Sequence, residues 1–211
     1  MDKAFVQELA AFCAEQDILL LVDEVQTGVG RTGSFFCYQQ YGIQPDVVSA
    51  AKGLGGGLPI GACLVNQKCA DVFQPGDHGS TFGGNPVVCA GALEVLSRVA
   101  NPEFLQEVQK KGAYLREKLA KLPNVESVRG MGMLLGAKPA SGEPGKIAAA
   151  CVDAGLLVLT AKDVLRFLPP LTITKDELDE LAQSDAGTLV RTCDSGKSAV
   201  QFQCVSVAYS A

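Results

Sequence analysis

The chain has 211 residues, 47% hydrophobic and 19% charged, with a formal net charge of −5. That is apolar enough for a packed core and too weakly charged for disorder, and it leaves no basic footprint for nucleic acid. No apolar run approaches the roughly 18 residues of a membrane span, and the start, Met-Asp-Lys-Ala-Phe-Val-Gln-Glu, lacks the basic segment and long apolar stretch of a signal peptide.

In chain order, Lys3 to Gln16 sets Phe5, Leu9 and Phe12 at helical spacing with Val6 and Cys13 beside them, and Asp2 is placed to cap the start. Ile18 to Val22 is a continuous apolar run, the pattern of a strand buried on both faces, as in a parallel sheet. It ends at two acids, Asp23 and Glu24, at the carboxyl edge where open α/β sheets place their ligands. A glycine-rich loop (28–34) and a short aromatic stretch follow, then strands at Asp46–Ser49 and Ile60–Val65. Asn85-Pro86 opens a helix to about Val99, with Asn as cap and Pro at the first helical position. A charged helix spans about Pro102 to Lys121. From Pro123 the texture changes to short strands near Val125–Val128, Met133–Ala137, Leu156–Leu159 and Leu165–Leu168, with helices near Lys146–Ala154 and Lys175–Ala182. Beyond Ser184 the residues show no clear helical periodicity. The expected organisation is α/β, with a larger part at 1–122, a smaller α/β domain at 123–183 and an atypical tail at 184–211.

The cysteines, at 13, 37, 63, 69, 89, 151, 193 and 204, form no C-x-x-C pair, and His78 is the only histidine, so no zinc pattern exists and no metal is expected. Most stand among apolar neighbours, Cys63 in Gly-Ala-Cys-Leu-Val for example, and read as small buried hydrophobes in a reducing cytoplasm. His78, in a Pro-Gly-Asp-His-Gly-Ser turn, reads as a loop residue.

Three features stand at strand ends or turns: Asp23, Lys52 and Ser80-Thr81. Lys52 lies in Ala-Ala-Lys-Gly-Leu-Gly-Gly-Gly, where small neighbours leave a planar ligand room against the backbone and are expected to hold the amine in a partly desolvated place. Asp23 ends an apolar strand and should have a cationic partner, such as the pyridinium nitrogen of pyridoxal phosphate; at about 4 Å and an effective dielectric near 20 that pairing amounts to roughly 4 kcal/mol. Ser80 and Thr81 offer hydroxyls and turn amides to phosphate oxygens. Singly, each has a plainer reading: a structural lysine, a capping or surface acid, an ordinary turn before a helix. Their order carries the inference. Gly28-Val29-Gly30-Arg31-Thr32-Gly33 fits G-x-G-x-x-G, but Ser34-Phe35-Phe36 is a poor helix start and the next acid, Asp46, comes too early for a dinucleotide site.

The stretches Leu-Val-Asp-Glu-Val-Gln-Thr-Gly-Val-Gly-Arg-Thr-Gly (21–33), Ala-Lys-Gly-Leu-Gly-Gly-Gly-Leu-Pro-Ile-Gly-Ala (51–62) and Gly-Asp-His-Gly-Ser-Thr-Phe-Gly-Gly-Asn-Pro (76–86) closely resemble class III aminotransferases, above all those acting on acetylornithine and ornithine. The resemblance runs from about residue 4 to about residue 181. It implies the aspartate aminotransferase-like fold (fold type I) of pyridoxal 5′-phosphate-dependent transferases, as part of the large domain plus the small carboxyl-terminal domain. It further implies that the chain corresponds to the carboxyl-terminal part of a protein about twice as long, without its amino-terminal half. Residue by residue, the resemblance gives Lys52 as the Schiff-base lysine, Asp23 at the pyridine nitrogen, Val25 on the ring face and Gln26 at the ring hydroxyl. It gives Ser80 and Thr81 at the phosphate, the threonine typically reaching the partner subunit's cofactor in a homodimer. Arg166, in Val-Leu-Arg-Phe-Leu-Pro-Pro-Leu, matches the arginine that clamps the substrate α-carboxylate. The implied reaction moves an amino group from N-acetylornithine or a related ω-amino compound to a 2-oxo acid, 2-oxoglutarate, in arginine biosynthesis. The competing expectation is a non-catalytic chain that only pairs with another subunit.

Overall fold

The computed structural model describes residues 1–188 and divides into two compact units, Met1–Leu105 and Gln106 onward, the division falling inside a helix. In the first unit, α1 (Lys3–Glu15) begins where Asp2 accepts the Phe5 N–H at 3.0 Å, as its sequence dictates. β1 (Leu21–Asp23), β2 (Val47–Ala50) and β3 (Ala62–Val65) form a sheet in that order, with β1 parallel and β3 antiparallel to β2. Between β1 and β2 lies a one-turn helix, α2 (Tyr38–Tyr41), which begins at the last residue of the short aromatic stretch and is not evident from the sequence. α3 (Pro86–Val99) starts on the Asn85 cap, whose side chain accepts the Val88 N–H at 3.0 Å, with Pro86 in the first turn.

Asp46 ties the sheet together at the edge away from the carboxyl ends of β1 and β2. One oxygen accepts the Leu20 N–H and the other the Asn66 amide, both at 2.8 Å. The Leu20 bond first, then the Asn66 bond, hold its carboxyl below the usual carboxylate range. The core of this unit gathers Val48 and Ala50 from β2, Val29 and Phe36 from the β1–β2 connection, Leu54, and Ala92 and Val99 from α3.

Two expectations fail in this unit. β1 is the outermost strand, and Leu21 is 64% exposed rather than buried on both faces. The apolar positions of α1 do the opposite of what their spacing suggests: Val6 and Cys13 are buried, whereas Phe5 and Phe12 are more than half exposed. The physical reason is common to both: the apolar faces of α1 and β1 have no layer over them, so periodicity alone does not guarantee burial. Cys63, on the wholly exposed β3, is likewise not a buried hydrophobe; Cys13, Cys69 and Cys151 are. Cys193 and Cys204 lie outside the described residues.

The second unit packs α4 (Pro102–Ala120, from Gln106 on) and α5 (Pro144–Asp153) with a sheet of β4 (Val125–Met131), β5 (Leu134–Pro139), β6 (Leu159–Ala161) and β7 (Val164–Phe167) in the order β4-β5-β7-β6, antiparallel throughout. Val108, Leu115 and Leu119 of α4 and Met133 are wholly buried. α4 comes so close to the β4–β5 turn that a Cβ on Gly112 would stand 2.3 Å from the Gly132 carbonyl oxygen, a contact only glycine permits. α6 (Lys175–Thr188) is tied to α4 by Asp179, which accepts the Tyr114 hydroxyl and pairs with Lys118 at 3.0 Å. The helix continues past Ala182, where the sequence reading ended it, and past Ser184, where periodicity was not evident; the rest of the expected atypical tail, from residue 189, lies outside the described residues. Among the described residues no cluster of acids, histidines and cysteines is placed to hold a metal, and no helix is long and apolar enough to cross a membrane.

Candidate active site

The parallel pairing of β1 and β2 decides what their carboxyl ends bring together. Asp23 is the register partner of Ser49, and the Glu24 N–H continues the ladder to the Ser49 carbonyl at 2.9 Å. Lys52 follows Ser49 by three residues, so the carboxylate and the amine leave the sheet at the same edge, the edge where open α/β sheets bind ligands.

Beyond β1 the chain turns at once. Asp23 Oδ1 accepts the Val25 N–H at 2.8 Å, which sets Val25 and Gln26, both half-buried, on the turn immediately past the strand. Glu24 goes the other way and is 1% exposed. Its Oε2 accepts the Thr27 hydroxyl at 2.5 Å and its Oε1 the Tyr38 N–H at 2.8 Å, so one buried carboxylate fastens the start of the β1–β2 connection to the first residue of α2. Such bonds offset the desolvation that makes a buried carboxylate costly. Sequence reasoning placed both acids at this edge but gave no role to Glu24; a second acid behind an apolar strand, with Thr27 one turn on, was the available signal. Burial pushes the nearby Cys37 thiol up, and the Glu24 carboxylate adds to the rise.

The glycine-rich loop is not a dinucleotide site. Residues 25–36 run through turns and bends, and no helix opens until Tyr38. Gly28 is required there because a Cβ would stand 2.8 Å from the Glu24 carbonyl oxygen. Val29, next in line, is 4% exposed and left-handed, with φ +51°. Lys52 is left-handed too, at φ +45°. An L-residue held this way costs about 1–2 kcal/mol, and β-branched valine is a rarer occupant still.

Lys52 opens a 3₁₀ turn, Lys52–Gly55, whose Leu54 is buried in the core. Its side chain is exposed, so the partial desolvation expected from the glycine-rich surroundings is not met: glycines give room but no cover. Asp23 is exposed as well, for the same reason that β1 is. Ser80 and Thr81 stand on an exposed stretch before α3, where the Ser80 hydroxyl oxygen accepts the Gly83 N–H at 3.0 Å; His78 lies in the same stretch, edge-on to Phe73.

In the second unit, Arg166 sits on β7 between Gly136 of β5 and Leu159 of β6. Its Nε is buried without a hydrogen-bond partner, and its side chain lines a cavity of about 270 Å³ with Leu156, Val158, Phe167, Pro169 and Leu181. A buried donor without an acceptor costs about 1–3 kcal/mol, which makes a carboxylate a fitting ligand.

Residues 1–186 match the sequence profile of the class-III aminotransferases. The chain belongs to that family. It is 49% identical over 180 residues to the acetylornithine aminotransferase of Haemophilus ducreyi, covering 85% of this chain and 46% of that enzyme. With the succinylornithine transaminase of Photorhabdus laumondii subsp. laumondii it shares 48% identity over 187 residues, 85% of this chain and 46% of the other. In three dimensions it resembles the N-acetylornithine aminotransferase of Stenotrophomonas maltophilia K279a with a TM-score of 0.81 at 36% identity, covering 89% of this chain and 51% of that one. The chain thus spans about half the length of the curated relatives it matches. Its fold is that of pyridoxal 5′-phosphate-dependent aminotransferases, and the family uses that cofactor. The residues present fit the group: a lysine and an aspartate leave the sheet at the same strand ends, both exposed, with a half-buried valine and glutamine on the turn beside the carboxylate.

Proposed function

We propose that this chain serves the pyridoxal-phosphate-dependent transfer of an amino group from N-acetylornithine, or a related ω-amino compound, to 2-oxoglutarate, in cytoplasmic arginine biosynthesis and as a homodimer. The observation that carries the reading is the shared carboxyl edge of β1 and β2, from which Asp23 and Lys52 both emerge.

When bound, pyridoxal phosphate supplies an electron sink for charge developing at the substrate Cα. Lys52 Nζ would hold the cofactor, and its free amine would serve as the base that takes the substrate Cα proton and returns it. The Asp23 carboxylate would keep a proton on the ring nitrogen. Val25 would lie on one ring face and Gln26 would hydrogen-bond the ring hydroxyl. Ser80 and Thr81 would donate to phosphate oxygens, Thr81 those of the partner subunit's cofactor. Arg166 holds the substrate α-carboxylate in its planar fork; the buried, unpartnered Nε supports this role. The domain reading stays with residues 1–122 as large-domain structure and 123–183 as the small domain.

The exposed apolar faces of β1 and α1 favour a second reading, a non-catalytic chain that pairs with another subunit. Adding pyridoxal phosphate to the purified chain and recording visible absorbance before and after borohydride separates the two. Catalytic use of Lys52 gives a yellow protein whose colour borohydride bleaches and Lys52→Ala abolishes. A colourless protein that still associates supports the second reading.

A further inference from the structure

Four non-glycine residues among those described have a left-handed backbone: Asp17, Val29, Lys52 and Lys162. Asp17 and Lys162 are exposed turn residues, where such a conformation is ordinary; Val29 is buried, and Lys52 follows a core strand. The first faces the residue that follows the second. A Cβ built on Gly53 would stand 3.5 Å from Val29 Cβ and 3.7 Å from its Cγ1, ordinary van der Waals range, so the valine side chain lies a methyl's width from the backbone that follows Lys52.

We infer that Val29 is a positioning residue for Lys52: facing Gly53 and packed in one core cluster with Ala50 and Leu54, it keeps the lysine's backbone in the left-handed conformation from which the amine departs. This deepens the proposed function and rests on Lys52 being the cofactor lysine. Lys52 is pinned on both sides, by Ala50 of β2 and by Leu54, each in the core cluster that also holds Val29. The Leu54 N–H closes the turn on the Ala51 carbonyl at 3.0 Å. Between these anchors, Val29 shares their core cluster and bounds the side of Gly53 on which a Cβ would stand. Val29 is held in turn by its own loop: Gly28 N–H donates to the Glu24 carbonyl at 2.9 Å and Gly30 N–H to Phe35 at 3.2 Å, and the Glu24 carboxylate fixes Thr27 and Tyr38. Strain of this kind persists only where surrounding structure over-determines it, and it collects where a reacting group must be held in one place.

The test incubates the 211-residue chain with sub-saturating pyridoxal phosphate, reduces it with borohydride and maps the adduct by mass spectrometry, with Lys3 as reference. Val29→Gly removes the whole side chain that faces Gly53, Val29→Ala removes its γ-methyls and so loosens its packing in the cluster with Ala50 and Leu54, Val29→Ile keeps both, and Val48→Ala opens the same core cluster from β2. The inference expects Lys52 modification to fall roughly threefold to tenfold in V29G and V29A, as the competent conformer becomes a minority. It expects V29I to stay within about twofold of the unmodified chain and V48A to leave the adduct unchanged while lowering stability. Amide exchange at Leu54 should rise in V29A more than in V48A, a readout that needs no cofactor. A chain whose adduct is spread over several lysines overturns the cofactor reading and the inference with it. An adduct centred on Lys52 that V29A leaves unchanged, or that V48A lowers equally, overturns the role of Val29 alone.

Discussion

In the second unit, β5 alternates between half-buried and buried residues along its whole length, and three of the four residues of β7 are buried. In the first, β3 is exposed at every position and β1 is buried at none. The contrast extends to the deepest side chains. Leu115, Leu119, Met133, Leu135, Leu165, Leu178, Val108 and Cys151 all belong to the second unit, whereas the first contributes only Glu24, a carboxylate. The unit with the closed core holds only Arg166 of the candidate site; the unit with the open faces holds all the rest. Chemistry needs polar groups, glycines and left-handed residues at strand ends, and each of these contributes little to a core.

The comparison can be broken or sharpened by experiment. Leu115→Ala should have the largest effect, a loss of about 2–5 kcal/mol in urea unfolding, because the side chain is wholly enclosed and leaves a cavity; a loss below about 1 kcal/mol would mean the second unit is looser than its burial suggests. Asn85→Ala, which removes the α3 cap in the first unit, should cost about 1 kcal/mol. Smaller again is a pH effect. Because Asp46 titrates below its ordinary value when folded, its contribution is present above the unfolded value of about 3.9 and is lost as pH falls through the lower folded value. The stability of the chain should therefore decline on acidification below about pH 4 more steeply than that of Asp46→Asn. Leu9→Gln, on the exposed face of α1, should change stability by less than about 0.5 kcal/mol; a larger loss would show that this face is covered in solution.

The helix starts were legible because capping is local: Asp2 and Asn85 bond to N–H groups three residues away, within the reach of any sequence reading. The strand that carries Arg166 was placed within a residue, since Val164, Leu165, Phe167 and Leu168 flank the arginine and Pro169-Pro170 close the segment. The Leu156–Leu159 strand was misplaced, forming instead at Leu159–Ala161, because pairing with β7 rather than hydropathy selects its residues. Asp23, Lys52 and Ser80-Thr81 were visible as ordered motifs, and the family they pointed to is the one whose profile residues 1–186 match.

Sequence alone determined the family, the cofactor it uses and the position of most elements, because local hydrogen bonds and motif order are written along the chain. It could not decide which apolar faces are covered, that the amine of Lys52 stands exposed, or that Glu24 is a buried clasp. Nor could it reveal that one left-handed residue, Val29, faces the glycine that follows another, Lys52. Those depend on which segments meet, and a residue's burial and backbone strain are set by neighbours that only the folded chain supplies.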